Sequence, residues 1–327
     1  MGVIKKIPAS LSKNYAGTVS RILRPAGRSK YEALDLYSGA GGLSLGLEAA
    51  GFRVTGIDSD ADSAETYNSN LRGTCINDSI TPRYGFPRAD LLVGGPPCQP
   101  FSVRGRQEGA SDHRNGIPSF IAAVRKLRPR MWVFENVRGM MYRNRAYLAS
   151  SVKKLEKLGY DVDVTVENCS DYGVPQNRER VIVVGHRGKY VPPRTLGTQV
   201  TSGAALKKIP RGDREKPIYL TRSMDRYISA YERASHCRRP RDLDRGRVAR
   251  TLTCRNLGGS SSDMHRICTP NGKRRMLFVR EAARLQGFPD WFEFSGSRYS
   301  QMRQIGNAVP PLFALVLGIQ MRKCLES

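Results

Sequence analysis

Short apolar runs alternate with amphipathic stretches along the chain from about residue 31 to residue 185. The apolar runs end in turn residues, which is typical of buried strands, and the amphipathic stretches have helical spacing. The pattern predicts strands at 33–37, 52–57, 90–94, 131–135, 160–167 and 181–184, and helices at 43–50, 61–71, 117–127 and 148–158. This alternation indicates an α/β fold with a mainly parallel sheet and helices on both faces.

The pattern changes near Arg187, where Arg, Pro, Gly, Ser and Thr begin to dominate and apolar runs become short. From Val279 the helical pattern returns, with helices predicted at 281–286, 300–305 and 312–324. We therefore expect one main domain formed by 31–186 and 276–327. A smaller, irregular, β-containing domain at 187–275 interrupts it, and the last helix packs back onto the main domain.

The first 30 residues are basic and polar and lack the apolar core of a signal peptide. We expect a basic, partly disordered N-terminal extension. No run of 18 apolar residues predicts a membrane span, so a cytoplasmic location is expected. Seven cysteines without a Cys-x-x-Cys pair argue against a disulfide framework and a zinc site.

The net charge is +25, from 54 Lys and Arg against 29 Asp and Glu. From residue 187 to residue 276 there are 22 basic and 7 acidic residues, a net +15. Charge that only improved solubility would not concentrate in one quarter of the chain. The distribution favours a polyanionic partner, nucleic acid above all.

The first predicted strand runs into Asp35-Leu36-Tyr37-Ser38-Gly39-Ala40-Gly41-Gly42. Its glycines permit a tight turn and close approach of a ligand to the backbone at a helix N-terminus. The spacing is neither a GxGxxG fingerprint nor a phosphate-binding loop. Asp58 ends the second strand and could accept hydrogen bonds from ribose hydroxyls, and Asp78 could lie beside an adenine. Each acid could equally be a helix N-cap.

Cys98 follows two prolines directly after a predicted buried strand, in Gly94-Gly95-Pro96-Pro97-Cys98-Gln99-Pro100-Phe101-Ser102. This position places its sulfur at the carboxyl end of a parallel sheet, where open α/β sheets bind ligands. The prolines stiffen the loop. The alternative is a buried structural cysteine, for which a rigid, polar Gly/Pro loop is a poor setting.

With these residues in order, the chain resembles the DNA cytosine-C5 methyltransferase family of restriction-modification systems. The resemblance covers about 31–187 and 279 to the C-terminus. Beyond the cofactor loop and the Pro-Cys-Gln loop, its motifs are Glu135-Asn136-Val137, Gln176-Asn177-Arg178-Glu179-Arg180, Arg280-Glu281 through Gln286-Gly287-Phe288-Pro289-Asp290, and Gly306-Asn307-Ala308-Val309-Pro310-Pro311.

The resemblance implies a Rossmann-like class I methyltransferase fold and S-adenosylmethionine as cofactor, with S-adenosylhomocysteine as product. It places an aromatic side chain, here Tyr37, against the adenine. The cofactor-binding residues it implies are Tyr37, Ser38, Gly39, Ala40, Gly41, Gly42, Asp58, Ser59, Asp78, Ser79, Pro96, Asn307, Ala308 and Val309.

It also implies covalent catalysis. The Cys98 thiolate adds to C6 of cytosine and makes C5 enamine-like. Glu135, protonated or sharing a proton, donates near N3. Arg180 bonds the cytosine O2, and Arg178 braces the nucleophile loop. The alternatives are a strand-end acid for Glu135 and a surface charge run for the two arginines. The residues suggest no side-chain base for the C5 proton, which water can accept.

A cytosine inside a duplex must be flipped out to reach such a site. We expect residues 102–116 to form a mobile loop that closes over DNA, and residues 187–275 to recognise a short target in double-stranded DNA. Thr251-Leu252 resembles a pair that is common late in the family's recognition domain. The expected DNA contacts are Ser102, Arg104, Arg106, Arg114, Arg238, Arg239, Thr251, Arg255 and Asn256, with Arg241 and His265 as further candidates.

Two other functions stay open at this point. A tRNA cytosine-C5 methyltransferase of the same fold is disfavoured by the long basic domain in place of a short linker. An inactive DNA-binding relative is disfavoured because Cys98, Glu135 and Arg180 are all present. A monomeric enzyme is expected, with a cognate restriction endonuclease as a candidate partner.

Overall fold

The structure of the protein is a computed structural model. It describes residues 7–8, 10–25, 30–97, 115–197, 199–209, 215–236, 241–259 and 263–327.

Seven strands form one sheet in the order β3-β2-β1-β4-β5-β7-β6. The strands are β1 (Glu32–Leu36), β2 (Arg53–Asp58), β3 (Cys75–Asn77), β4 (Leu91–Gly94), β5 (Met131–Val137), β6 (Asp161–Asn168) and β7 (Glu179–His186). Strands β1 to β5 are parallel, whereas β7 runs antiparallel to both β5 and β6. The α/β fold predicted from the sequence is confirmed.

The sheet direction determines where the candidate site residues meet. Parallel strands β1, β2, β4 and β5 end at one edge, and the antiparallel β7 begins there. Tyr37, Asp58, Gly95, Glu135 and Arg180 therefore lie along that edge although they come from five separate strands or strand ends.

Helices cover both faces of the sheet. Those of the main domain are α1 (Tyr15–Ile22), α2 (Gly42–Ala50), α3 (Ala61–Asn70), α4 (Ile117–Leu127), α5 (Arg145–Glu156), α9 (Val279–Gln286), α10 (Arg298–Asn307) and α11 (Pro311–Glu326). One core includes residues of α2, α9, α10 and α11, and a second includes residues of α4 and α5 with Trp132 and Phe134. The predicted helices of this domain are all present, with ends that differ by a few residues.

One close packing contact explains a glycine in β7. Gly185 pairs with Trp132 across the sheet, and a Cβ atom added there would lie 1.9 Å from the indole ring. The buried indole therefore requires glycine at this position.

Part of the expected N-terminal extension belongs to the main core rather than being polar throughout. Residues 10–25 form a short 3-10 turn and helix α1, and Leu11, Tyr15, Val19 and Leu23 are buried in the main core. Their spacing of four residues places all four on one helical face. Composition alone did not reveal this apolar stripe, because basic residues dominate the other face.

The region 187–275 contains more regular structure than its composition suggested. It holds α6 (Ser202–Ala205), α7 (Arg222–Ala234), α8 (Cys254–Gly258) and a hairpin of β8 (Arg266–Cys268) and β9 (Arg274–Met276). The 13-residue helix α7 was not predicted, because it has only one buried apolar residue, Ile228.

The C-terminal stretch Arg298–Glu326 is long and apolar enough to meet a composition test for a membrane span, but 67% of the apolar window is buried inside the protein. Residues 308–310 separate α10 from α11, and α11 packs against α2, as expected for a core helix.

Candidate active site

The glycine loop connects β1 to α2 through several left-handed residues. Tyr37, Gly39 and Gly41 have φ values of 61°, 53° and 85°. A Cβ atom added at Gly42 would lie 2.4 Å from the carbonyl oxygen of Val309. The C-terminal segment with Ala308 and Val309 thus lies directly against the glycine loop.

Asp58 holds the glycine loop in place at the end of β2. Its Oδ2 accepts a hydrogen bond from the Gly39 amide at 2.8 Å, and its Oδ1 accepts one from the Asp60 amide at 2.9 Å. Burial raises the pKa of the Asp58 carboxyl. The N-cap of α3 is Asp60 rather than Asp58, so the alternative of a helix cap is wrong for Asp58.

Asp78 lies beside Asp58, because its amide donates to the Asp58 carbonyl at 3.0 Å. Its exposed carboxylate accepts from the Ser79 amide at 2.7 Å. No helix begins at Asp78 in the described chain, which also excludes the helix-cap alternative here. The two acids therefore lie next to each other at the mouth of the glycine loop.

Asp35 is fully buried below the same loop. Ser44 Oγ donates to its Oδ2 at 2.7 Å, while Oδ1 has no hydrogen-bond partner among the described residues. Burial, with a smaller contribution from the Asp58 charge, raises the pKa of the Asp35 carboxyl to about 7. The sequence offered no signal for this, since the residue looked like part of a strand.

Glu135 and Arg180 form a charged pair at the edge of the sheet. Glu135 Oε1 and Arg180 Nε are 2.7 Å apart, and the side chains are only 14% and 11% exposed. The atoms are at ion-pair distance, yet their alignment falls short of a hydrogen bond. Arg180 also donates from Nη1 to the Glu179 carbonyl at 2.8 Å, which fixes the guanidinium. Glu135 is therefore not a simple strand-end acid, and Arg180 is not a surface charge.

The proline loop lies beside this pair. Asn136 Nδ2 donates to the Pro96 carbonyl at 3.1 Å, and the Gly116 amide donates to the Pro97 carbonyl at 3.1 Å. Tyr37 Oη donates to the Gly116 carbonyl at 3.2 Å. A Cβ atom added at Gly95 would lie 3.8 Å from Glu135 Oε2. Both ends of the segment that contains Cys98 are thus anchored beside Glu135.

Several predicted residues cannot be placed. Cys98 and the expected DNA contacts Ser102, Arg104, Arg106, Arg114, Arg238 and Arg239 lie outside the described residues.

Two buried cysteines of the described chain are unsuited to act as nucleophiles. Cys169 lies near Arg178, Arg180 and Glu135, but burial raises the pKa of its thiol to about 12. Burial also raises the pKa of the Cys75 thiol to about 11. Because the thiolate is the reactive form, both thiols stay protonated and unreactive at neutral pH. The described residues contain no group of three or more His, Cys, Asp or Glu that could hold a metal ion.

Arg178 is buried and donates hydrogen bonds to two distant parts of the chain. Its buried Nη1 donates to the carbonyls of Leu252 and Gly306, at 2.8 and 3.3 Å. Burial lowers the pKa of its guanidinium to about 9, and the positive charge of Arg180 contributes to this shift. Its described contacts thus join the sheet to residue 252 and to α10. The brace on the nucleophile loop stays a prediction, because Cys98 lies outside the described residues.

Gln176, which sequence reasoning left without a role, makes a similar connection. Its side chain donates to the Leu285 carbonyl at 2.9 Å and accepts from the Leu252 amide at 2.9 Å, and it is completely buried. The only sequence signal was its place at the start of the Gln176–Arg180 motif.

The structure divides the remaining recognition candidates. Asn256 is 3% exposed and donates to the Thr251 carbonyl at 2.9 Å, which contradicts the expected DNA contact. The Thr251 hydroxyl donates to the Asn177 carbonyl at 2.5 Å, and His265 is buried. Arg255 is exposed and has no charged partner in the part of the chain that the structure describes. The exposed Arg255 therefore stays available to a ligand, whereas Asn256, Thr251 and His265 are held by hydrogen bonds within the protein.

The fold is that of the class I methyltransferases. The structure superposes on a solved DNMT2 variant from Spodoptera frugiperda with a TM-score of 0.67 and 17% identity, covering 91% of this chain and 100% of that one. It superposes on the Entamoeba histolytica methyltransferase EhMeth with a TM-score of 0.68 and 15% identity, covering 92% and 100%.

The sequence identifies the family within that class. The profile of the C-5 cytosine-specific DNA methylases matches residues 31–323, and the chain belongs to this family. It is 47% identical to the Type II methyltransferase M.AplI of Arthrospira platensis over 307 residues, which are 92% of this chain and 88% of the relative. It is 32% identical to the Type II methyltransferase M1.HphI of Haemophilus parahaemolyticus, covering 86% and 84%.

Proposed function

We propose that the protein methylates carbon 5 of a cytosine within a short, specific sequence of duplex DNA, as the modification enzyme of a Type II restriction-modification system. The observation that carries this proposal is the largely buried Glu135–Arg180 pair beside the anchored ends of the Cys98 loop. Family membership and the Type II relatives support the substrate class.

The residues at the glycine loop fit S-adenosylmethionine. The loop leaves open space above Gly39, where an added Cβ would meet no atom within 4 Å. Asp58 and Asp78 offer carboxylate oxygens to ribose hydroxyls and an adenine amine, and Tyr37 offers an aromatic face. When bound, the cofactor supplies an electrophilic methyl group on a sulfonium. Ser38, Ser59, Ser79, Pro96, Asn307 and the Ala308–Val309 backbone complete the proposed cradle.

The proposed chemistry starts with the Cys98 thiolate forming a bond to C6 of the cytosine. The ring electrons shift toward N3, where Glu135 donates a proton, and Arg180 stabilises charge at O2. C5 then takes the methyl group, the N3 proton returns to Glu135, the C5 proton leaves to water, and the bond between Cys98 and C6 breaks. This last step restores both the aromatic ring and the thiolate.

The position of Glu135 suits this role because its Oε1 contacts Arg180 without an aligned hydrogen bond and so can turn toward a substrate nitrogen. Arg180 is held by the Glu179 carbonyl and is therefore preorganised. Because the site is largely buried, the target cytosine must rotate out of the DNA duplex to reach it. We further propose a monomeric, cytoplasmic enzyme with residues 187–275 as its target-recognition domain and a cognate endonuclease encoded nearby.

Bisulfite sequencing of DNA from a host that expresses the protein tests the substrate. We expect protection of one cytosine within a single short sequence, which identifies the base and the recognition site together. Methyl transfer to tRNA with no transfer to duplex DNA would reverse the proposal. Specific DNA binding without transfer at saturating cofactor would indicate an inactive relative.

A second experiment tests the nucleophile with duplex DNA that contains 5-fluorocytosine. The wild type should form a covalent adduct that survives denaturation, because fluorine blocks the elimination step. Cys98→Ser should form none, whereas Cys169→Ala should retain adduct and turnover, since its thiol stays protonated. Full turnover by Cys98→Ser would exclude the covalent mechanism.

A further inference from the structure

Helix α7 carries three arginines along its outer face. Arg222, Arg226 and Arg233 are all exposed. At 3.6 residues per turn they lie within about 40° of one another around the helix axis, with rises of roughly 6 and 10 Å between neighbours. They thus form one continuous basic stripe, which we call the α7 stripe.

A second face of α7, centred roughly 110° from the stripe around the helix axis, is fixed to the protein. Ile228 is 1% exposed, Glu232 contacts the buried Arg266 at 2.5 Å, and Asp225 lies 3.6 Å from Arg274. Arg266 and Arg274 project from the same side of the β8–β9 hairpin, as its register shows. On the other side, Arg275 pairs with Glu281 of α9 at 2.7 Å.

The small hairpin is therefore a middle layer between α9 and α7. Because α7 is the outer layer and its three arginines are exposed, the α7 stripe faces solvent rather than the core.

The distribution of acids leaves the α7 stripe without counter-charges. Between residues 187 and 276 there are seven acids, of which Asp213 lies outside the described residues. Each of the other six lies at ion-pair distance from an arginine. The pairs are Glu215–Arg298, Asp225–Arg274, Glu232–Arg266, Asp242–Arg266, Asp244–Arg247 and Asp263 with Arg241 and Arg250.

This arrangement sorts the arginines of the region into two kinds. Arg241, Arg250, Arg266 and Arg274 have acidic partners and hold the region together. The three arginines of the α7 stripe have no acidic partner among the described residues. Unpaired guanidiniums in a row repel one another and gain most from an anion that spans them.

We propose that the α7 stripe docks on the sugar-phosphate backbone of the DNA outside the target sequence and positions the duplex without contributing to sequence recognition. The inference rests on the proposed DNA substrate. A duplex presents phosphates at a spacing of several ångströms, which arginines about 6 and 10 Å apart along a helix can match. Guanidiniums bind phosphates bidentately.

The test compares the wild type with the triple variant Arg222→Ala, Arg226→Ala, Arg233→Ala. Binding to a target duplex and to an unrelated duplex is measured by fluorescence anisotropy over a range of about 50 to 200 mM salt. Each lost phosphate contact should reduce the slope of log affinity against log salt by about 0.9, so a loss of roughly 2 to 3 is expected. Affinity should fall on both duplexes by the same factor, about 10- to 100-fold.

A matched control removes three exposed charges elsewhere. Arg125 lies on α4, and Lys153 and Lys154 lie on α5, all exposed. Their triple alanine variant should keep the wild-type slope within about 0.5. An α7 variant with the wild-type slope, or with the slope of this control, would overturn the proposal.

Enzyme kinetics separate this inference from the proposed function. The α7 variant should raise the KM for DNA and leave kcat and the methylated sequence unchanged, whereas Cys98→Ser should abolish turnover and keep the wild-type salt slope. A change in the methylated sequence would assign the stripe to recognition instead. If the wild type fails to methylate duplex DNA, the proposed function fails, while the salt slopes still report on α7.

Discussion

At the scale of single residues, two carboxyl groups near the sheet edge have different surroundings. Glu135 faces a guanidinium at 2.7 Å and lies beside the proline loop, whereas Asp35 is buried below the glycine loop with one oxygen that has no hydrogen-bond partner among the described residues. The first environment suits an acid that engages a substrate. The second penalises the charged form.

Replacement of Glu135 by Gln should reduce kcat by about 10²- to 10⁴-fold, because the amide keeps the shape but cannot deliver a proton to N3. The KM for DNA should change little, since Gln can still contact Arg180. Steady-state methyl transfer at saturating DNA and cofactor is the measurement. A variant with more than half of the wild-type kcat would show that Glu135 does not act as the proton donor.

Replacement of Asp35 by Asn should alter the pH dependence of folding. The folded-state pKa of about 7 lies above the ordinary value of 3.8, so the stabilising contribution of this group is complete below pH 3.8 and is lost as the pH rises through 7. An amide side chain cannot ionise, so Asp35→Asn should gain stability relative to the wild type across that window, by at most about 4 kcal/mol.

Urea unfolding between about pH 4 and pH 8 measures the effect of this change. The Ser44 hydroxyl can still donate to the amide oxygen, which keeps the loop geometry. The free energy of unfolding is compared with pH for the wild type and for Asp35→Asn. If the two curves stay parallel over the whole range, Asp35 has the same pKa in the folded and unfolded states.

At the scale of elements, α1 stands out because it precedes the region that the family profile matches, yet it contributes to the main core. Ser20 accepts the indole hydrogen bond of Trp291 on its carbonyl at 2.9 Å, and Arg24 lies 4.7 Å from the Trp291 ring. The helix therefore fastens the segment after α9 to the rest of the protein.

Two substitutions in the N-terminal segment should have opposite signs. Leu23→Ala removes a completely buried side chain and should cost about 2–5 kcal/mol. Tyr15→Phe removes a buried hydroxyl that has no hydrogen-bond partner among the described residues, and should be neutral or stabilise by about 1 kcal/mol.

Thermal and urea unfolding check both variants of this pair. Loss of more than about 1 kcal/mol in Tyr15→Phe would reveal an energetically important partner for the hydroxyl. Wild-type stability of Leu23→Ala would show that α1 is not part of the cooperative core.

At the scale of the whole molecule, a few buried polar side chains join the region 187–275 to the main domain. Gln176 and Arg178 follow one another closely in sequence and both contact residue 252, and through Leu285 and Gly306 they reach α9 and α10.

Gln176→Ala should weaken this junction. It leaves the Leu252 amide and the Leu285 carbonyl buried without their partner, at a cost of about 1–3 kcal/mol each. Hydrogen exchange should accelerate at 249–252 and 285–286 and stay unchanged in β4 and β5. Asn177→Ala is a suitable control, because that side chain is exposed. Uniform acceleration throughout the chain would indicate global destabilisation instead.

The sequence alone determined six of the seven strands of the sheet, the order of the motifs and the chemistry they imply. Buried strands such as Leu91–Gly94 are apolar throughout, and α2 ends at a glycine that adopts φ of 97°. Such signals depend on local sequence, so they can be found without a structure. The family profile confirmed the resemblance that the motifs indicated.

Only the tertiary structure decided which charges are free. Arg266 and Arg222 look alike in a basic region, but the first is buried between Glu232 and Asp242 and the second is exposed. Asn256 and Arg178 likewise proved to be parts of the junction. The partner of a charged side chain is set by contacts between residues distant in sequence, and the order of residues along the chain does not record those contacts.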